Sequence, residues 1–125
     1  MKSSDLNLYF NNSISVEHFF ATINTETENY RSLMPKTGST IHLHFDEDQP
    51  VLIDSFNLSK IIGDIIDNNY DLVVLGYICD CLTLGEYVEF SNPMVKEITF
   101  DLADPEINSL SKETAVTILK LLETV

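Results

Sequence analysis

The chain has 125 residues, 44% of them hydrophobic, with 20 acidic residues against seven basic ones and a net charge of −13. This length suits one domain with a single core, and the supply of Ile, Leu, Val and Phe is too rich for a disordered acidic segment. So negative a surface repels nucleic acid and anionic membrane and attracts a basic protein surface.

The first residues, Met1 to Asn7, contain one lysine and no apolar run of signal-peptide length, and the most apolar run, Leu72 to Leu84, is too short to cross a bilayer. A cytoplasmic protein is expected. Asp5 to Phe10 alternates polar and apolar, which predicts a short strand with Leu6, Leu8 and Phe10 on one face. Asn11, Asn12 and Ser13 break it. Ser15 has the character of an N-cap, followed by Val16, Phe19, Phe20 and Ile23 at helical spacing, with Ile14 and Phe19 placed to staple the entry.

A weaker helical segment from Thr27 to Met34 ends at Pro35, and Lys36-Thr37-Gly38 forms a turn. Ser39 to Phe45 alternates again and meets an acidic turn, Asp46 to Gln49, after which Pro50 to Ile53 is predicted to return as the second arm of a hairpin. From Asn57 the period is helical, with Leu58, Ile61, Ile62, Ile65 and Ile66 on one side and Lys60, Asp64 and Asp67 on the other. Asp71 caps a second helix to about Leu84 that is apolar nearly all round, and Gly85 stops it. The short connection between these two helices predicts an antiparallel pair at the centre of the fold.

Glu86 to Phe90 is a connector or a short strand. Asn92-Pro93 starts a helix carrying Val95, Ile98 and Leu102, although Ile98 to Leu102 also alternates as a strand would. Asp104-Pro105 ends this element, and Ser109 or Ser111 caps a last helix with Ala115, Ile118, Leu119 and Leu122. The whole predicts an α+β fold: a predominantly helical single domain over residues 1–125, with about five helices in antiparallel pairs and a small antiparallel β element.

No arrangement of residues points firmly to catalysis. His42-Leu-His44-Phe-Asp46 superficially resembles the start of the metallo-β-lactamase metal motif, and two imidazoles with a carboxylate are a reasonable ligand set. Its next position is Glu47 where that motif has histidine, the chain is far shorter than that fold, and a solvated strand face explains the pattern without metal. Cys79 and Cys81 are too close for a redox pair and are expected as buried thiols. Asp80 between them is expected to reach solvent. The acidic turn lacks the glycine and closing glutamate of an EF-hand loop, and none of the four glycines lies in a phosphate-loop pattern. The expectation is a non-enzyme with no metal or cofactor.

Between Thr37 and Val95 the only lysine or arginine is Lys60, against ten carboxylates. A basic protein partner is therefore expected, with no nucleic acid and no membrane, and the chain acting as a monomer or in a one-to-one heterodimer. Asp46, Glu47, Asp48, Asp64, Asp67, Asp71, Glu86 and Glu89 are the candidate binding face, with Tyr70 and Tyr87 as aromatic anchors, since tyrosine beside carboxylates suits recognition of Arg or Lys.

Size, acidity and the segments Gly76-Tyr-Ile-Cys-Asp80, Leu84-Gly-Glu86, Leu102-Ala-Asp-Pro-Glu-Ile-Asn108 and Leu110-Ser-Lys-Glu113 together resemble the immunity proteins of bacterial toxin systems, in particular those of contact-dependent growth inhibition. The resemblance implies a tight inhibitor that covers the nucleic-acid-binding or active-site surface of a cognate basic toxin, a nuclease. These proteins have diverse folds, so the resemblance assigns no binding residue. A small acidic secretion chaperone, binding an extended effector segment and usually dimeric, is the alternative that size and charge also fit.

Overall fold

The computed structural model describes residues 1–33, 43–103 and 111–125. Among these are seven helices, α1 (Ser3–Phe10), α2 (Val16–Thr22), α3 (Asn24–Leu33), α4 (Ser55–Asp67), α5 (Leu72–Leu84), α6 (Pro93–Leu102) and α7 (Lys112–Leu122), and two strands, β1 (Val51–Ile53) and β2 (Val88–Phe90). The fold is mostly helical with a small sheet, as expected, but it has seven helices rather than five. The sheet is parallel rather than antiparallel, pairing Val51 with Val88, Leu52 with Glu89 and Ile53 with Phe90.

Local start signals are honoured. Ser15 accepts from the His18 N–H, Asp71 from Val73, Asn92 from Val95 ahead of Pro93, and Ser111 from Thr114, so each satisfies a donor that the first helical turn leaves orphaned. Residues 93–102 are thus helix and not strand. α4 begins earlier than its apolar period suggests, because Asp54 accepts from the Asn57 N–H at 2.7 Å and caps it.

The strand expected at Asp5 to Phe10 is helix instead. Ser3, Leu6 and Tyr9, three apart, are its buried positions, while Leu8 is exposed. Lys2 in the N-cap position offers no side-chain cap. The cap comes from far along the chain. Asp48 accepts from the Ser4 N–H at 2.8 Å, the Ser4 hydroxyl at 2.5 Å and the Ser3 hydroxyl at 3.0 Å. These bonds, the Ser4 hydroxyl foremost, hold the Asp48 carboxyl below its ordinary value.

The expected hairpin is corrected in the same way. The partner of β1 is β2, not the residues preceding Asp46. Leu43 and Phe45 are half-buried and His44 and Asp46 exposed, so the alternation is real there. Asp46 pairs with Lys2 in an isolated parallel bridge. Ser39 to His42 of that predicted strand, the turn at residues 36–38, Asp104-Pro105 and Ser109 lie outside the described residues.

β1 runs into α4 through Asp54 alone, and α5 returns to β2 within three residues. α4 therefore leads away from the sheet and α5 leads back, an antiparallel pair as expected, and this long crossover is what allows the strands to be parallel. α6 packs on α5 and α7 on α4, closing a core that contains Leu58, Ile61, Ile62 and Ile65 of α4 and most of α5. Gly85 stops α5 in an extended conformation, φ −72°, not the left-handed turn that a terminal glycine commonly provides. Its role is close approach: an added Cβ would lie 2.6 Å from Val88 Cγ2, 2.7 Å from Glu47 Oε1 and 3.0 Å from Phe45 Cε2.

Candidate functional site

The antiparallel helix pair gives the molecule two poles. Thirteen-residue helices are about 20 Å long, so the turn joining α4 to α5 and the sheet at their other ends are well separated. The ten predicted binding residues divide between these poles and do not form one face.

At the turn pole two of the three predicted carboxylates are engaged internally. Asp64 accepts from the Tyr9 hydroxyl at 2.6 Å and lies 3.4 Å from the Lys60 ammonium, which itself sits 4.6 Å from the Tyr9 ring centre. Burial first, then the bond to Asp64, pushes the Tyr9 phenol far above its ordinary value, so it stays a neutral donor. Asp71 caps α5 and pairs with Arg31 at 3.0 Å. Tyr70 is half-buried and stacks on Phe20, ring centres 4.5 Å apart. Asp67, the last residue of α4, is exposed.

The sheet pole is different. Asp46, Glu86, Tyr87 and Glu89 are exposed there, and Tyr87 keeps 59% of its surface open. Side chains alternate across a strand, so Val51, Ile53, Val88 and Phe90 turn to the core while Leu52 and Glu89 share the outer face, with Tyr87 on the same side two residues before Glu89. Leu52 is 48% exposed and Phe56, in the first turn of α4, is 71% exposed. Glu47 is the exception at this pole. Its carboxylate accepts from the Glu86 and Tyr87 N–H groups at 3.0 and 2.9 Å, tying the acidic turn to the approach to β2. Asp48, as the cap of α1, is likewise structural.

Leu52 and Phe56 were absent from the predicted face, yet both carry a readable signal. Leu52 lies between two core residues of a strand and so must face outward. Phe56 is out of phase with the Leu58, Ile61, Ile62, Ile65 stripe and cannot join it.

The other chemical candidates resolve as follows. His42 lies outside the described residues. His44 is exposed, with its N–H donating to the Tyr77 hydroxyl at 3.3 Å, and among the described residues no three His, Cys, Asp or Glu side chains are grouped to hold a metal ion. Cys79 and Cys81 are free buried thiols, and burial drives Cys79 well above the ordinary thiol range and Cys81 up to about 12, so neither is a thiolate nucleophile at neutral pH. Asp80 does not simply face solvent: it is half-buried and accepts from the Tyr30 hydroxyl at 3.4 Å. A hollow of about 530 Å³ beside the N-terminus is lined by Lys2, Asp5, Glu26 and His44, with Glu26 already paired to the Met1 ammonium. No described helix is long and apolar enough to cross a membrane.

No protein-family description, curated protein or solved structure matches the chain.

Proposed function

We propose that this chain is a cytoplasmic immunity protein that binds and neutralises a basic toxin domain, a nuclease, by covering its nucleic-acid-binding or active-site surface. It works as a binding protein, without catalysis, metal or cofactor, in a one-to-one complex. The observation that carries this reading is the composition of the sheet pole, where exposed Tyr87, Leu52 and Phe56 adjoin the exposed carboxylates Glu86, Glu89 and Asp46. A large amphipathic aromatic with apolar neighbours supplies contact area, and the carboxylates around it accelerate encounter with a cationic partner and select against anionic ones. The net charge of −13 adds long-range steering of the same sign.

The test is capture and rescue. A basic nuclease domain encoded beside this chain is co-expressed with it, and complex formation and nuclease activity are measured across ionic strength. The reading predicts retention at low salt, weakening as salt rises, and loss of nuclease activity in the complex. It fails if no basic domain is retained or if association ignores salt.

The secretion-chaperone reading has one observation of its own. In the β1–β2 register, Glu89 directs its N–H and C=O to β1, so those of Val88 and Phe90 point the other way and, among the described residues, have no strand beside them. Such an edge is suited to pairing with an extended segment. Light scattering separates the readings: an obligate dimer favours the chaperone, and a monomer that forms a one-to-one complex favours immunity.

A further inference from the structure

A cavity of about 350 Å³ opens at the turn pole, where α2 and the start of α3 meet the N-terminal end of α5. Its lining includes Glu17, Phe20, Ala21 and Asn24, with Tyr70 and Val74 on the opposite wall. Three properties coincide there. Phe20 and Tyr70 are stacked at 4.5 Å with an interplanar angle of 26°, a fixed aromatic wall. Ala21 and Val74 provide apolar surface. Glu17, in the first turn of α2, is an exposed carboxylate with no hydrogen bond or ion pair to any described residue. Arg31, a cation two turns beyond Asn24 along α3, is engaged by Glu28 at 3.5 Å and Asp71 at 3.0 Å and so does not neutralise it.

The geometry points to a slot for an arginine side chain presented by a basic polypeptide, separate from the sheet pole. Arginine has an apolar stem that matches Ala21 and Val74, and a planar cation that lies on an aromatic face while pairing with a carboxylate. Lysine has the charge without the plane, and an anionic or purely apolar side chain leaves either the carboxylate or the rings without a complement. The slot stands on its own lining and does not depend on the function proposed for the sheet pole, which lies at the far end of α4 and α5.

The experiment is an NMR titration of the full chain with N-acetyl-arginine amide, using the lysine and norleucine amides as comparisons. The expected result is saturable shifts confined to residues 17–24 and 70–74, with arginine tighter than lysine and norleucine inert. Glu17→Gln should weaken arginine binding about fivefold, the scale of one exposed charge pair, while Asp67→Asn, an equal change of charge at the same pole, should leave it unaltered. Glu17 is exposed, so its substitution leaves the core intact. Shifts scattered over all exposed carboxylates without saturation would overturn the proposal, as would lysine or norleucine binding as tightly as arginine, or equal effects of the two variants. Failure here leaves capture of a basic domain through the sheet pole untouched, and failure of that capture leaves the slot standing.

Discussion

The two poles share a charge sign and differ in what the charges do. At the turn pole, Asp64 and Asp71 are hydrogen-bonded or paired with Tyr9, Lys60, Arg31 and a helix N-terminus, and Tyr70 is stacked on Phe20. At the sheet pole, Glu86 and Glu89 are exposed beside Tyr87 and Leu52, while Glu47, Asp48 and Asp54 are drawn into the structure. Carboxylates with partners stabilise the fold, whereas carboxylates beside exposed aromatic surface provide a place for another molecule. Net charge alone does not distinguish them.

Substitutions at the two poles should act on stability at one site and on binding at another. The largest expected effect is on binding: Tyr87→Ala should weaken capture of a basic domain by about 2 kcal/mol or more, the scale of an interface anchor, with no change in thermal melting. A large fall in melting temperature with unchanged affinity would reverse the assignment. Gly85→Ala comes next, because its Cβ would meet Glu47 and Val88 at under 3 Å. It should cost about 1–3 kcal/mol of stability by overpacking, measured by chemical denaturation. Asp64→Ala should cost about 1–2 kcal/mol by removing the shorter acceptor of the buried Tyr9 hydroxyl, which keeps only the Lys60 carbonyl at 3.3 Å, and should leave affinity alone.

The legibility of the chain follows the range of its interactions. Ser15, Asp71, Asn92-Pro93 and Ser111 announce their helices because a cap acts on amides two or three residues away. The start of α1 is set by Asp48, more than forty residues downstream, and nothing near Ser3 shows it. In Asp5 to Phe10 both periods are present, and the distant carboxylate favours the helical one. The parallel sheet was hidden for a similar reason. Val51 to Ile53 reads as a strand, but its partner is decided by where α5 delivers the chain after Gly85, a consequence of packing. The candidate site was legible only as acidic composition. Whether a carboxylate meets Tyr9, a backbone amide or solvent depends on contacts across the fold, which divided the ten residues between two poles.

The smallest expected effect concerns Asp48. Its folded carboxyl titrates below the ordinary value, so its contribution to holding α1 is complete above the ordinary Asp range, near roughly pH 4, and is lost as pH falls through the lower folded value. Relative to the intrinsic exchange rate at each pH, the amides of α1 should therefore lose protection at acid pH before those of α6, whose cap Asn92 does not titrate. Equal loss of protection in both helices would count against a carboxylate cap.

Glu86 and Glu89 at the sheet pole are assigned to the basic domain, and Asp64 and Asp67 at the turn pole are not. The most direct test of this assignment is the association rate constant with the captured basic domain, measured against ionic strength for Glu86→Gln/Glu89→Gln and for Asp64→Asn/Asp67→Asn, two variants with the same loss of charge. The account predicts a slower, less salt-sensitive association for the sheet-pole pair and a rate close to the parent's for the turn-pole pair. Equal slowing in both variants would contradict it, because total charge would then explain the encounter without a site.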